Sequence, residues 1–381
     1  MKKAIYFATI IVLISLPLAC RAGVDFSGND QPTSSPSATS TPIKVINITA
    51  TTQVQITKTP TPELLTDKEW IAFINNDNIW LLHPDGSDLT QITTNSKGNL
   101  RIQSLAWSPD GLTLAYSQRA SDKIGLFLYD VNTSTTVELI AEIGGGFDWL
   151  QTGKQIIYDT PVTKGIPGQQ KNNGIWLINL KSNRVRQIVT TTKSLPVLMA
   201  PQRSPTGSHL IFTTPCFEAN CVGHGVSNFR TGDSFVFSIL GGPCKWSPVG
   251  MNIGCIKTEM DNSTGKNIQK VVVLDEKGNL LKEFLTPEGI GDQVVIEWSP
   301  AGTMLAIGYY SNGNSITDLL SLETGDRSKF TNGLPLDWSP DGHWLLTFDG
   351  GINKPSMILI TNSMTGVSSV LTEGWQADWQ P

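Results

Sequence analysis

The chain has little of what enzymes usually gather at a reaction centre. It contains four histidines in 381 residues, His83, His209, His224 and His343. They stand at unrelated places in the sequence pattern, so no histidine set for metal binding or proton transfer is legible. No Gly-x-Ser-x-Gly segment occurs, which leaves hydrolase chemistry built on a nucleophile elbow without a carrier. Basic residues are also in short supply, 28 Lys and Arg against 33 Asp and Glu for a formal net charge of −5. A mildly acidic chain without a basic stripe is a poor binder of DNA or RNA. Amphipathic helical periodicity is missing beyond residue 66, and the one long apolar run lies at the N-terminus. The sequence therefore nominates no catalytic residue, no metal ligand and no cofactor.

What it does have is repetition. A cassette of a Trp, a tight turn and a small-aliphatic strand is clearest at Trp107-Ser-Pro-Asp-Gly111, Trp298-Ser-Pro-Ala-Gly302 and Trp338-Ser-Pro-Asp-Gly342. Looser copies start at Trp246, Trp149 and Arg203, and the chain ends on Asp378-Trp379-Gln380-Pro381. Successive anchors lie 42, 54, 43, 52, 40 and 41 residues apart, the period of one propeller blade per repeat. If Asp110-Gly111 forms a two-residue hairpin turn, each anchor faces the residue seven positions on, and these are Leu114, Ile156, Leu210, Ile253, Leu305 and Leu345. Further apolar runs such as Leu126–Asp130, Ile175–Leu180 and Val271–Asp275 supply outer strands.

The last copy has an anchor but no following strand. Its missing partner is at the other end of the chain, where Trp70-Ile71-Ala72-Phe73 aligns with Thr113-Leu114-Ala115-Tyr116. The expected fold is all-β: a seven-bladed β-propeller closed by pairing of the N- and C-terminal strands in one blade, which leaves no open ring edge. Six blades follow instead if the Trp149 and Arg203 copies are not true repeats.

The N-terminus reads as an export signal. Lys2 and Lys3 precede an apolar stretch over 4–19, short for a membrane span, which ends at Cys20. Residues 1–19 are expected to be removed and Cys20 to be the lipidated mature N-terminus, although Pro17 stands where an aliphatic residue would be favoured. Loss of Lys2 and Lys3 takes the net charge to −7. Residues 20–66 are rich in Ser, Thr and Pro and read as a disordered tether of roughly 40 Å average reach. The propeller is expected over 67–381, outside the cytoplasm on a membrane anchor, as a monomer.

Four cysteines remain after Cys20. Cys244 and Cys255 sit at offsets −2 and +9 of their cassette, opposite each other in the hairpin register, and Cys216 and Cys221 bracket a short loop. Two disulfides in an oxidising compartment are expected, with a metal site as the alternative.

The cassette, the small-aliphatic strand after it and the outer turn ending in Gln91-Ile92-Thr93 resemble the repeats of TolB-type, WD40-like propellers. The resemblance covers roughly residues 67–381, and the tether is too short and polar to be the separate N-terminal domain that TolB carries. It implies a fold more than a function, because propellers host binding, scaffolding and catalysis. The propeller lyases that act on acidic sugars gather histidines around a metal, and the four here do not match that arrangement.

Two surfaces are candidates for recognition. Offset −1 carries Ala106, Asp148, Gln202, Lys245, Glu297, Asp337 and Asp378. Alternation on the innermost strand turns these residues toward the central channel. The four carboxylates, Asp148, Glu297, Asp337 and Asp378, with Lys245 focus a negative potential there. Alternatively, they accept hydrogen bonds from backbone N–H groups of neighbouring blades. The second surface is a rim of long connections, 160–173, 214–233 and 259–267, on the face opposite the Ser-Pro-Asp-Gly turns. The reading is a non-enzymatic propeller that binds an envelope protein or an extracellular ligand through rim and channel mouth. The alternatives are a carbohydrate-active enzyme, lyase or hydrolase, and a structural scaffold of the envelope.

Overall fold

The computed structural model describes residues 69–381 except 95–99, 162–173, 193–196, 216–221, 230, 239–240, 262–264, 287–293 and 352–353. The described residues contain strands and turns and no helix. Cys20 and the Cys216–Cys221 pair therefore lie outside the described residues.

The strands form seven four-stranded antiparallel sheets. In six of them four consecutive strands follow one another from the inside outward, and the seventh joins Gln376–Trp379 to Ile71–Asn75, Asn78–Leu82 and Thr90–Gln91. Counting this closing sheet as blade 1, the inner strands of blades 2 to 7 are Leu100–Trp107, Phe147–Trp149, Met199–Arg203, Gly241–Trp246, Val294–Trp298 and Leu334–Trp338. The expected register is observed in every blade: Trp107 pairs with Leu114, Trp149 with Ile156, Arg203 with Leu210, Trp246 with Ile253, Trp298 with Leu305, Trp338 with Leu345, and Trp379 with Ile71. All seven aliphatic partners are 0% exposed, each contributing about 1.5–3 kcal/mol by burial. Arg203 thus anchors a true blade.

The turn that sets this register is longer than the two-residue hairpin expected. Ser108 N donates to Thr113 O at 2.8 Å and Gly111 N to Ser108 O at 2.8 Å, so Pro109 to Leu112 form a four-residue loop with Gly111 at φ +67°, a conformation glycine adopts without strain. Ser108 Oγ accepts from Thr113 N at 3.0 Å and donates to Asp110 Oδ1 at 2.6 Å. The equivalent serines Ser204, Ser299 and Ser339 accept from His209, Met304 and Trp344 in the same way. The Ser of the motif is a buried clip for the strand that follows.

Apolar clusters span neighbouring sheets rather than filling single ones. Ile256, Val271 and Val273 of blade 5 pack with Ile296, Trp298 and Leu305 of blade 6, and Ile71, Phe73 and Trp379 of blade 1 with Leu346, Ile358 and Ile360 of blade 7. The ring is thereby held together blade to blade.

Two expected loops are partly strand. In blade 4 the second strand His209–Pro215 pairs with Val222–Asn228, so nine residues of 214–233 belong to the sheet. Gly223 and Gly225 hide this strand by breaking its apolar alternation. Gly225 is needed because the Phe212 ring fills the space beside it: a Cβ there would lie 2.1 Å from Phe212 Cζ. In blade 5, Ile253–Asp261 and Lys266–Leu274 stay paired as far as Asp261 and Lys266, which shortens the 259–267 loop to a hairpin tip. The connection over 160–173 does lie between strands, Gln155–Asp159 and Gly174–Asn179, with most of it outside the described residues.

Candidate functional site

The six Trp anchors are buried and pack between blades, and Arg203 is partly buried, so the residue before each anchor lies on the opposite face of the innermost strand. Blade by blade these residues are Asp378, Ala106, Asp148, Gln202, Lys245, Glu297 and Asp337. Three of the carboxylates reach across to the backbone of the next blade. Asp378 Oδ2 accepts from Trp107 N, Asp148 Oδ2 from Arg203 N and Asp337 Oδ2 from Trp379 N, each at 2.7 Å. Glu297 instead pairs with the Lys245 ammonium, and Gln202 Nε2 donates to Cys244 O at 3.4 Å.

Indole N–H groups run the reciprocal connection. Trp107 Nε1 donates to Asp378 O at 3.2 Å, Trp149 Nε1 to Ala106 O at 3.1 Å and Trp298 Nε1 to Lys245 O at 3.2 Å. At the blade 1–2 junction the carboxylate and the carbonyl of Asp378 thus bracket Trp107 from both sides. Trp246 and Trp338 keep buried indole N–H groups without a partner.

The channel is a poor solvent for these charges. Burial pushes the Asp148 carboxyl up to about 6 in spite of the Arg203 charge and N–H beside it. Asp378 is raised to about 7, first by burial and further by Glu297. Asp337 is held well above the usual carboxylate range by burial and then by the charges of Asp378 and Glu297. Burial alone would depress the Lys245 ammonium, but Glu297, with Asp337 and Asp378 behind it, keeps it above the ordinary lysine value. The structure therefore brings Lys245, Glu297, Asp337 and Asp378 into one electrostatic group and leaves Asp148 with Arg203.

Sequence reasoning missed other groups of the same kind. Asp159, 2% exposed, closes the opposite end of the blade 3–4 junction: its Oδ1 accepts from Gly146 N at 2.9 Å and its Oδ2 from Ala200 N at 3.0 Å. Burial raises its carboxyl to about 6. The signal was the Gly144-Gly145-Gly146 run, where a Cβ on Gly144 or Gly146 would lie 2.6 or 2.8 Å from an Asp159 oxygen. In blade 6, Asp318 accepts from Tyr309 Oη at 3.0 Å and sits 3.4 Å from Arg327 Nε. Burial and that carboxylate push the Tyr309 hydroxyl up to about 12.

A latch joins the two ends of the chain. Trp379 Nε1 donates to Glu69 Oε2 at 2.7 Å, Trp70 N to Gln380 Oε1 at 2.9 Å, Gln380 N to Trp70 O at 2.8 Å and Gln380 Nε2 to Gly111 O at 2.6 Å. His83 belongs to this latch, stacked on Trp70 at 3.9 Å with Nδ1 2.8 Å from Glu69 O. The other histidines are spread out: His209 meets Ser208, His224 is buried against Gly242 O, and His343 meets Asp341. Among the described residues no group of three or more His, Cys, Asp or Glu could hold a metal ion.

Cys244 and Cys255 form a disulfide between paired residues of the first two strands of blade 5, as their offsets predict. The second and third strands of that blade outrun the inner one. Gly241 pairs with Lys257, so Thr258–Asp261 stand beyond the inner strand by about 13 Å at strand rise. Lys257 meets Glu259 at 2.8 Å, and Lys270 bridges Glu259 and Glu283, while Met260 is 65% exposed.

No protein-family model matches the chain, and no curated protein matches it in sequence. Its structure is similar to an oligogalacturonate lyase in complex with manganese (13% identity, 81% of this chain and 86% of that one covered, TM-score 0.60). It is also similar to a prolyl endopeptidase (15% identity, 81% of this chain, TM-score 0.60), of which it spans half the length. TolB from Acinetobacter baumannii aligns at 16% identity over 83% of this chain and 67% of that one, TM-score 0.49. At these identities the first two likenesses speak for fold alone, and the seven sheets show an all-β, seven-bladed β-propeller.

Proposed function

We propose that the protein is a non-enzymatic recognition module, exported and tethered to a membrane through Cys20 and residues 21–66, that binds an envelope protein or an extracellular ligand with its loop rim. The observation that carries this reading is the projecting hairpin of blade 5: an apolar Met260 held out on strands stiffened by the Lys257, Glu259, Lys270 and Glu283 network. A rigid frame that presents an exposed hairpin is a usual way to build a binding surface. The channel mouth takes second place, because Asp148, Asp337 and Asp378 each already serve the next blade's backbone.

The test is a pull-down from gently cross-linked native membranes with three proteins. One is wild type, one has residues 259–268 replaced by an Asn-Gly turn that keeps Thr258 opposite Gln269, and one has Asp148, Glu297, Asp337 and Asp378 all changed to Asn. The reading expects a specific partner that is lost with the shortened hairpin and kept by the Asn variant. Loss in the Asn variant alone would move recognition back to the channel, and turnover of a polysaccharide by wild type would replace the binding module with an enzyme.

A further inference from the structure

Blade 2 stands taller than blade 3 at the mouth of the channel. Its inner strand begins at Leu100, seven positions before the Trp107 anchor, whereas the other inner strands begin two to five positions before theirs. Its second strand runs on to Ala120, thirteen positions past the anchor, and that of blade 3 stops at Asp159, ten past Trp149. Within this added height Arg101 pairs directly with Arg119 across the first two strands. Arg119 in turn pairs with Ile124, which packs with Ala115, Ile143 and Trp149 at the blade 2–3 junction. Residues opposite one another share a face of the sheet, so both arginines lie on the side of the shorter blade.

Like charges directly opposite each other weaken a sheet, and the chain does not relieve this pair from within. Among the described residues neither guanidinium has a carboxylate partner. Glu142, at the entry to blade 3, is drawn to Lys123 at 3.7 Å instead. The polar contact that is present is neutral. A bulge leaves Gln103 without a cross-strand partner, between Ile102 opposite Gln118 and Ser104 opposite Ser117, and a bulge re-aims the side chain it carries. In its hydrogen-bonding orientation Gln103 Oε1 accepts from Arg119 Nε at 2.9 Å and from Nη2 at 3.2 Å. That fixes the Arg119 fork and leaves three of its N–H groups, with all five of Arg101, for a ligand. Gly145 lies beside Gln103 and Ile124 and puts no side chain into the step between the two blades.

We propose that Arg101 and Arg119 form a phosphate-binding site at the channel mouth, with Gln103 as its positioning residue. Charge selects the ligand: two guanidinium groups match the charge of about −1.5 to −2 that a phosphate group carries at neutral pH, whereas a carboxylate brings a single charge. Geometry agrees, because the planar guanidinium fork fits phosphate oxygens in pairs. The channel carboxylates do not do this work. Asp378 meets blade 2 at Trp107, six positions from Arg101 and so roughly 15 Å further along the strand, beyond the screening length of about 8–10 Å. The site is on blade 2, apart from the blade 5 hairpin, and stands whether or not that hairpin binds a partner.

The test is a titration of the full chain with inorganic phosphate, ionic strength held constant with chloride. It is read at the arginine Nε–Hε signals by NMR and as the midpoint of urea unfolding. Wild type should show saturable shifts at Arg101 and Arg119 and a midpoint that rises with phosphate. Arg101→Gln and Arg119→Gln should each weaken phosphate by about tenfold or more, the loss expected for one charged hydrogen bond. Gln103→Glu, which supplies the carboxylate the pair lacks, should abolish phosphate binding and raise the midpoint without it. Arg184→Gln, at an exposed arginine of the outer strand of blade 3, should bind as wild type does. Glycerol phosphate competing for the site would extend it to phosphomonoesters, and its exclusion would confine it to the free ion. Acetate binding as tightly as phosphate, shifts no larger than chloride produces, or equal phosphate affinity in all variants would overturn the proposal. If Arg119→Gln fails to fold, Arg101→Gln, at an exposed position, still decides it.

Discussion

Trp379 and Trp338 are a matched pair for measuring what the latch contributes. Both are inner-strand anchors, 4% and 6% exposed, and both pair with a fully buried aliphatic residue, Ile71 and Leu345. They differ at the indole N–H: Trp379 donates to the Glu69 carboxylate at 2.7 Å, and Trp338 has no partner. Truncating a buried Trp to Ala costs about 3–5 kcal/mol, which is the expected loss for Trp338→Ala. A hydrogen bond to a charged group adds about 1.5–3 kcal/mol, so Trp379→Ala should lose roughly 4.5–8 kcal/mol, a large part of a domain stability of about 5–15 kcal/mol. The milder change to Phe separates the two contributions. Trp379→Phe should cost about 2 kcal/mol more than Trp338→Phe, and the excess should vanish when Glu69→Ala is made first, which removes the acceptor. Urea unfolding of the full chain followed by far-ultraviolet circular dichroism, at constant slope, gives these differences. Equal costs for the two Phe variants would refute the claim that Glu69 and Trp379 form an energetically significant latch.

Three further outcomes follow from particular contacts. Gly225→Ala should destabilise by at least about 1–3 kcal/mol, because the new Cβ meets a Phe212 ring that is 1% exposed and has nowhere to move, and Phe212→Leu in the same chain should recover part of the loss in urea. Reducing Cys244–Cys255, which closes a loop across a sequence separation of 11, should lower stability by about 3 kcal/mol on the chain-entropy scale, read as a drop in unfolding midpoint with added reductant. Asp148, raised to about 6 by burial, holds a proton in the fold between pH 4 and 6 that the unfolded chain releases, so its contribution falls as pH rises through that window. Asp148→Asn should therefore be stabilising relative to wild type by up to about 3 kcal/mol at pH 8 and neutral near pH 4 in paired urea titrations.

The repeat was legible because its information is local. A Trp and an aliphatic residue seven positions on are brought together by a turn between them, and in each of the six internal blades the pair survives whether the turn reads Ser-Pro-Asp-Gly or Leu-Gln-Thr-Gly. Closure was legible because one cassette lacked a strand and Ile71–Asn75 lacked an inner partner. The third strand of blade 4 was not, since Gly225 is there to admit the Phe212 ring, a requirement set by a different strand. The end of the blade 5 hairpin was hidden for another reason: Lys257, Glu259 and Lys270 pair with one another across strands, which polar composition alone does not reveal. For the channel residues, the alternative that the carboxylates accept from backbone N–H groups of the neighbouring blade describes Asp148, Asp337 and Asp378, whereas Glu297 turns to Lys245, a choice that strand alternation alone does not reveal. Asp159 stood in an apolar strand beside three glycines, and the crowding that explains both is visible only in three dimensions.

The account rests on one blade being built from both ends of the chain, and deuterium uptake by the peptide covering 376–379 tests that directly. In the full chain this strand should be protected, since Ile71–Ile74 pair with it along its length. In a chain lacking residues 1–75, the same peptide should exchange freely while peptides from blades 4 and 5 keep their protection. Undiminished protection of 376–379 after that deletion would contradict the account.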